Sequence, residues 1–265
     1  PGRTTVLVER ESLLGAGTTS RNSEVVHGGM YYPPGSLKAR LCVAGRRQLQ
    51  TFCREAGVRY RECGKLIVAT EPAEVAALEQ IHARGQENGV EDLRLLEAAE
   101  VADLEPEVRA VAALWSPRTA ILDAEGATRA LGTRARAAGA QLMTEAEVTG
   151  LARDAAGWRV TVEPPAAGGR EGWAHTSRWV VNATGLNADR VAQLAGVDID
   201  ARRWRQRWVK GSYFAISPRH DGRVGRLIYP VPPADGSSLG VHLCLDLAGR
   251  MRLGPDVEVL PPRAG

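Results

Sequence analysis

The sequence predicts an α/β protein, α+β overall, on three observations. Strand-like and helix-like stretches alternate up to residue 200, as they do in α/β folds. The opening "TTVLVE" (4–9) is a continuous apolar, β-rich run, which suits a parallel strand buried on both faces. Beyond residue 200 the texture turns to strands, which argues for a second part built on a more antiparallel sheet. The chain has 265 residues, 44% hydrophobic and 25% charged, enough apolar content for a sizeable core.

The elements follow in order. After the first strand, residues 34–57 carry Leu37, Leu41, Val43, Leu49, Phe52 and Cys53 at roughly helical spacing, and Gly57 is a natural stop. "GKLIVA" (64–69) reads as a strand. Residues 71–89 read as a helix with Val75, Leu78 and Ile81 on one face, and 95–107 as a short helix closed by Pro106. A strand is expected at 111–115. An alanine-rich helix is expected at 123–139, with Asp123 as its N-cap. Three short strands at 141–144, 147–153 and 158–162 lead to a loop at 164–172. A strand at 179–182 and a helix at 187–195 follow, then strands at 208–216, 227–231, 239–245 and 250–253. The α/β signals fall at 1–58 and 118–200. The rest, 59–117 and 201–265, forms the second part, so two interleaved domains are expected.

Composition excludes several function classes. A net charge of +3 with mixed signs implies neither nucleic acid nor an anionic membrane surface as partner. "ARRWRQRWVK" (201–210) is basic and aromatic, but as an isolated patch it reads as a solvated segment. Cys42, Cys53, Cys63 and Cys244 make no C-x-x-C and fit no zinc site, so free thiols and no metal are expected. No apolar run approaches the roughly eighteen residues of a membrane span. Residue 1 leads almost directly into a strand, and no signal peptide is expected.

The segment "TSRNSEVVHGGMYY" (19–32) gathers hydroxyls, an amide, a guanidinium, an imidazole and two adjacent glycines. From the residues alone, two readings stand. Thr19, Ser20, Arg21, Asn22 and Ser23 could donate to a cofactor's phosphates and hydroxyls, with Gly28 and Gly29 letting backbone approach a flat ring. Alternatively they cap a loop and satisfy their own backbone. Glu9 closes the first strand, where a dinucleotide fold places the acid that binds a ribose. The G-x-G-x-x-G loop that normally precedes such an acid occurs nowhere in the chain, so Glu9 also reads as an ordinary strand-end acid.

An ordered series of motifs decides between these readings. "GTTSRNSEVVHGGMYYPPGSLKARLCVAG", "CGKLIVAT" (63–70), "AILD" (120–123), "VVNATGLNADRVA" (180–192), "LIYPVP" (227–232) and "LGVHLCLDLAGRMRLGPDVE" (239–258) run nearly the length of the chain. Together they resemble the FAD-dependent L-2-hydroxyglutarate dehydrogenase family, within the D-amino-acid-oxidase-like flavoprotein superfamily. The resemblance implies an FAD/NAD(P)-binding Rossmann-like domain lacking its first βα unit of about thirty residues. It also implies an interleaved substrate domain with a mixed, largely antiparallel sheet. The chain therefore reads as the middle of a family member.

The implied activity is oxidation of a 2-hydroxy acid to the 2-oxo acid, with hydride transfer to FAD and electrons passed to an acceptor other than NAD. Implied cofactor contacts are Glu9, Thr19–Ser23, Gly28, Gly29, backbone at Val148, and the turn Ala183, Thr184 and Gly185. "NAT" (182–184) also fits a glycosylation triplet, but a buried strand end argues against that use. The proton acceptor is expected among His27 and His242, with no assignment between them. His82, His175 and His220 are expected to have no role. Lys210 stands where relatives carry arginine, as a point-charge carboxylate anchor. Tyr229 is a pocket donor or a core tyrosine. A mitochondrial location follows only if the source is eukaryotic. Two alternatives remain: a non-catalytic truncated relative unable to hold FAD, or a relative acting on another hydroxy acid or glycerol 3-phosphate.

Overall fold

The computed structural model describes residues 3–164, 171–233 and 239–261. In chain order the strands are β1 (Val6–Val8), β2 (Val25–Val26), β3 (Tyr60–Arg61), β4 (Lys65–Ala69), β5 (Arg94–Glu97), β6 (Ala112–Ser116), β7 (Ala120–Leu122), β8 (Gln141–Met143), β9 (Glu147–Asp154), β10 (Gly157–Glu163), β11 (Trp173–Ser177), β12 (Val209–Lys210), β13 (Phe214–Ala215), β14 (Leu227–Pro230), β15 (His242–Leu245), β16 (Met251–Gly254) and β17 (Glu258–Val259). The helices are α1 (Leu37–Ala56), α2 (Val75–Glu87), α3 (Ala98–Leu104), α4 (Ala124–Ala137) and α5 (Ala188–Leu194).

Over the described residues the chain divides into two compact units. The first takes Pro1–Asn22, Ala124–Trp208 and Leu260–Gly265; the second takes Ser23–Asp123 and Val209–Val259. Residues 23–58 thus fall with the second unit, although the alternation pattern groups them with the first. The reason is packing. Met30 and α1's Val43 are buried in the same cluster as Ile67, Leu78, Leu114 and Tyr229. Each large apolar side chain buried there contributes about 1.5–3 kcal/mol, which outweighs sequence proximity.

In the first unit, β1 and β8 form a parallel pair, and β9, β10 and β11 form an antiparallel meander. β1 is less buried than its apolar run suggests: Leu7 is 40% exposed, because β8 is the strand's one ladder partner among the described residues. The strand expected at 179–182 has no ladder there, and Val181 is 87% exposed. The preceding polar stretch Trp173–Ser177 is a strand instead, because β10 supplies its partner. Part of the loop expected at 164–172 lies outside the described residues.

In the second unit a seven-stranded sheet runs β13-β16-β15-β14-β4-β6-β5. Only β14 against β4 is parallel, so the sheet is mixed and largely antiparallel, as expected. The strand expected at 208–216 splits into β12, which pairs with β17, and β13, which pairs with β16. The helix expected from residue 95 starts at Ala98. Arg94–Glu97 pairs with β6, and Glu97 with Glu100 forms a capping box. α1 behaves as its sequence dictates. Ser36 accepts the Ala39 N–H at 3.2 Å, and Gly57 ends the helix in the left-handed region at φ +65°.

Candidate active site

β4 is the pivot of the second unit. Every residue of "KLIVA" is buried. Ile67 and Ala69 enter the main core, and Leu66 and Val68 enter the smaller cluster on the other face. Strand alternation places Lys65 with Ile67 and Ala69. On neighbouring β14, Leu227 and Tyr229 face that same core. On β15, Cys244 does so, and His242 lies two residues away on the same face.

This face therefore brings together a basic and aromatic cluster. Lys65 is 0% exposed. Its Nζ donates to the Tyr31 hydroxyl at 3.2 Å and lies 4.5 Å from the Tyr31 ring centroid and 4.8 Å from that of Tyr229. Tyr229 is buried and stacks on His242, with centroids 3.7 Å apart and planes at 16°. The Nδ1 of His242 meets the Gly240 carbonyl at 2.8 Å. A carbonyl can only accept, so Nδ1 carries the proton and Nε2 keeps its lone pair. His27 is half-buried, and its Nδ1 is a buried atom without a hydrogen-bond partner. Its backbone carbonyl accepts from the Cys42 thiol at 3.2 Å. Arg252, opposite Cys244 in the ladder, reaches the Ser23 carbonyl at 3.2 Å and lies over the Tyr213 ring.

The electrostatics follow from burial among cations. Desolvation first, then the charges of Lys65, His242 and Lys38, pushes His27 down to about 3. His242 is lowered by burial, a shift opposed by its bond to Gly240 and reinforced by Lys65. Lys65 is pushed down to about 7 by burial, against a smaller upward pull from Cys42 and Cys244. Burial drives the phenols of Tyr31 and Tyr229 far above the ordinary tyrosine range. Near neutral pH the cluster thus offers two neutral imidazoles, a lysine close to its own titration point and two neutral phenols. Such a set can accept a proton and can hold an anion.

The residues singled out by sequence distribute as follows. His27, His242 and Tyr229 come together here. Lys210 does not: it is exposed on the β12–β17 ribbon, and its ammonium pairs with Glu258 at 2.8 Å. Gly28 and Gly29 are buried. Gly28 faces Met30, Val90 and Ser116, and Gly29, at φ +102°, faces Val43, Ala39 and Cys42. Packing alone accounts for the glycines there. Ser23 belongs to the same unit.

Glu9, Thr19, Ser20, Arg21, Asn22, Val148, Ala183, Thr184 and Gly185 lie in the first unit. Ser20 Oγ bonds the carbonyls of Ala16 and Gly17, Arg21 donates to Ser20, and Asn22 donates to the Thr18 carbonyl. These are the local bonds of the loop-capping alternative. Glu9 accepts the Glu11 N–H at 2.9 Å. Val148 pairs with Val162 in the meander. Thr184 and Gly185 are exposed, and Gly185, at φ +56°, has open space where a side chain would stand. Sequence reasoning missed Lys65, Tyr31 and Arg252. The available signal was a lysine inside an otherwise apolar strand.

Comparison with known proteins agrees with this architecture. The family described as "FAD dependent oxidoreductase" matches residues 1–264. The chain is 36% identical to an L-2-hydroxyglutarate dehydrogenase of Salmonella houtenae, over its full length and 60% of that protein's. It is 34% identical to the mitochondrial L-2-hydroxyglutarate dehydrogenase of Mus musculus, spanning 57% of it. Among solved structures, an FAD-bound L-alpha-glycerophosphate oxidase of Mycoplasma pneumoniae superposes with a TM-score of 0.80 at 26% identity, over 96% of this chain and 65% of that one. A glycine oxidase of Geobacillus kaustophilus shares the fold, with a TM-score of 0.76 at 19% identity, over 96% of this chain and 65% of that one. With an ordered series of motifs, a mixed sheet carrying a basic cluster, and a family match spanning nearly every residue, the chain belongs to the FAD dependent oxidoreductase family.

Proposed function

We propose that this chain is the core of an FAD-dependent dehydrogenase that oxidises a 2-hydroxy acid, of the L-2-hydroxyglutarate class, to the 2-oxo acid. The observation that carries the reading is the gathering of His242, Tyr229 and Lys65 on one face of the sheet, with half-buried His27 within the field of Lys65 and His242. Oxidising the hydroxy acid requires an acceptor for its hydroxyl proton. The imidazole pair His27 and His242 fills that role, since burial keeps both neutral. The bond from His242 Nδ1 to Gly240 fixes its ring and presents Nε2. Tyr229, stacked on His242, keeps that imidazole in plane.

FAD, when bound, supplies the acceptor for the two electrons. The first unit is the flavin-holding part in this reading, and the second the substrate part. The residues fit such a cofactor at the exposed Thr184–Gly185 turn, where a Cβ added at Gly185 would meet open space, and at Glu9, which follows β1. Electrons pass onward to an acceptor other than NAD. A mitochondrial setting fits a eukaryotic source, as in the mouse relative's name. No described helix is long and apolar enough to cross a membrane.

A second reading has its own support: the chain alone holds no FAD. Trp179, 67% exposed, and Val181 stand without ladder partners among the described residues. Dye-linked turnover of L- and D-2-hydroxyglutarate by FAD-supplemented protein separates the two. Stereoselective reduction of the dye supports the dehydrogenase, and none with either enantiomer supports the second reading.

A further inference from the structure

Lys65 is a fully buried basic side chain with no counterion among the described residues. The titratable groups facing it are Tyr31 from the segment after β2, Cys42 from α1, Tyr229 from β14, and Cys244 and His242 from β15, with His27 within its field. Lys38 adds a further positive charge at His27. Among the described residues no carboxylate bonds to Lys65 or perturbs it. The usual rule is that a buried charge is paired. Two ring faces and a phenol oxygen solvate an ammonium but do not neutralise it. Beside it, His27 Nδ1 is a second buried polar atom left without a partner. Lys65, His27 and His242 thus share one place to which no described carboxylate contributes.

We propose that Lys65, with His27 beside it, is the carboxylate-binding site of this protein, the role that sequence gave to Lys210, and that the anion enters together with a proton. The identity of the anion rests on the hydroxy-acid reading above. The half-buried members, His27 and Tyr31, mark the side from which it arrives. The proton balance follows from linkage. In the free protein above pH 7, Lys65 is largely an uncharged amine. A carboxylate against Nζ favours the ammonium, so the complex takes up a proton from the medium and no covalent bond changes. Below that pH the ammonium already exists, and uptake falls. The two tyrosines stay neutral throughout and contribute no proton.

The test is calorimetric titration of the flavin-free chain with 2-oxoglutarate, in two buffers of different ionisation enthalpy, near pH 8 and near pH 6. The expected result is uptake of about one proton per anion near pH 8, clearly less near pH 6, and binding at least about tenfold weaker in Lys65→Met. Methionine suits the apolar strand, and wild-type proton uptake provides a readout that needs no variant. Binding without uptake near pH 8, equal affinity of Lys65→Met, or no binding at millimolar anion each overturns the proposal. Anion binding with uptake but no dye-linked turnover would instead overturn the activity and leave this site standing.

Discussion

Replacing Lys65 with methionine should stabilise the protein at neutral pH and remove a pH dependence that the wild type carries. The ordinary lysine value is 10.5 and burial pushes Lys65 to about 7. That gap corresponds to about 5 kcal/mol, an upper limit on the cost of keeping the ammonium buried. The sign follows from proton counting. Between the two values the unfolded chain binds more protons than the folded one, so stability rises with pH and the cost is fully present below about 7. From pH 7.5 to 9 the rise due to Lys65 is about 2 kcal/mol. Lys65→Met lacks it, while the thiols and phenols that also titrate are common to both proteins. Urea unfolding of both at those two pH values measures the difference directly. The variant is expected to be more stable at the lower pH, with the gap closing by about 2 kcal/mol at the higher. Parallel rises in the two proteins, or a variant less stable than wild type at pH 7.5, would refute the electrostatic account of this lysine.

Other outcomes follow from the same geometry. His27→Asn and His242→Asn should each lower dye-linked kcat/KM about tenfold or more while leaving bound flavin nearly unchanged. Wild-type turnover in both would remove the proton-acceptor assignment. The depressed His27 should make stability fall, by about 3 kcal/mol, as pH drops from 6.5 toward 4, and His27→Phe should flatten that loss in acid denaturation. Gly64 sits at φ +73°, and an added Cβ would come 2.0 Å from the Trp115 ring. Gly64→Ala should therefore cost about 2–4 kcal/mol and lower Tm by roughly 10 °C, and an unchanged Tm would count against the packing at β4.

Much of the fold was legible because periodicity reports burial. α1 and α2 carried apolar residues at helical spacing, and the short strands around Glu147–Glu163 carried branched residues between turns. What was illegible depended on partners distant in sequence. Trp173–Ser177 is polar and becomes a strand because β10 lies beside it; Ala120–Leu122 is too short to signal anything, and β2 and β3 flank it. The motif series marked His27, His242 and Tyr229, which do meet in the second unit. It contained Lys65 within "CGKLIVAT" but gave it no role, because a lysine at a strand start reads as a solvent-facing charge until its neighbours are known. Lys210 looked chemical for the opposite reason. Its partner, Glu258, is 48 residues away in sequence and becomes adjacent only through the β12–β17 ribbon.

The central claim is that this chain places a hydroxy acid's proton acceptor in a flavin-dependent site. The most direct measurement is anaerobic absorbance of the FAD-incubated, gel-filtered protein before and after L-2-hydroxyglutarate is added. Flavin absorbance at about 450 nm should co-elute with protein and bleach with the L but not the D enantiomer. Co-eluting flavin that neither enantiomer bleaches would contradict the substrate assignment, and colourless protein would contradict cofactor binding by this chain.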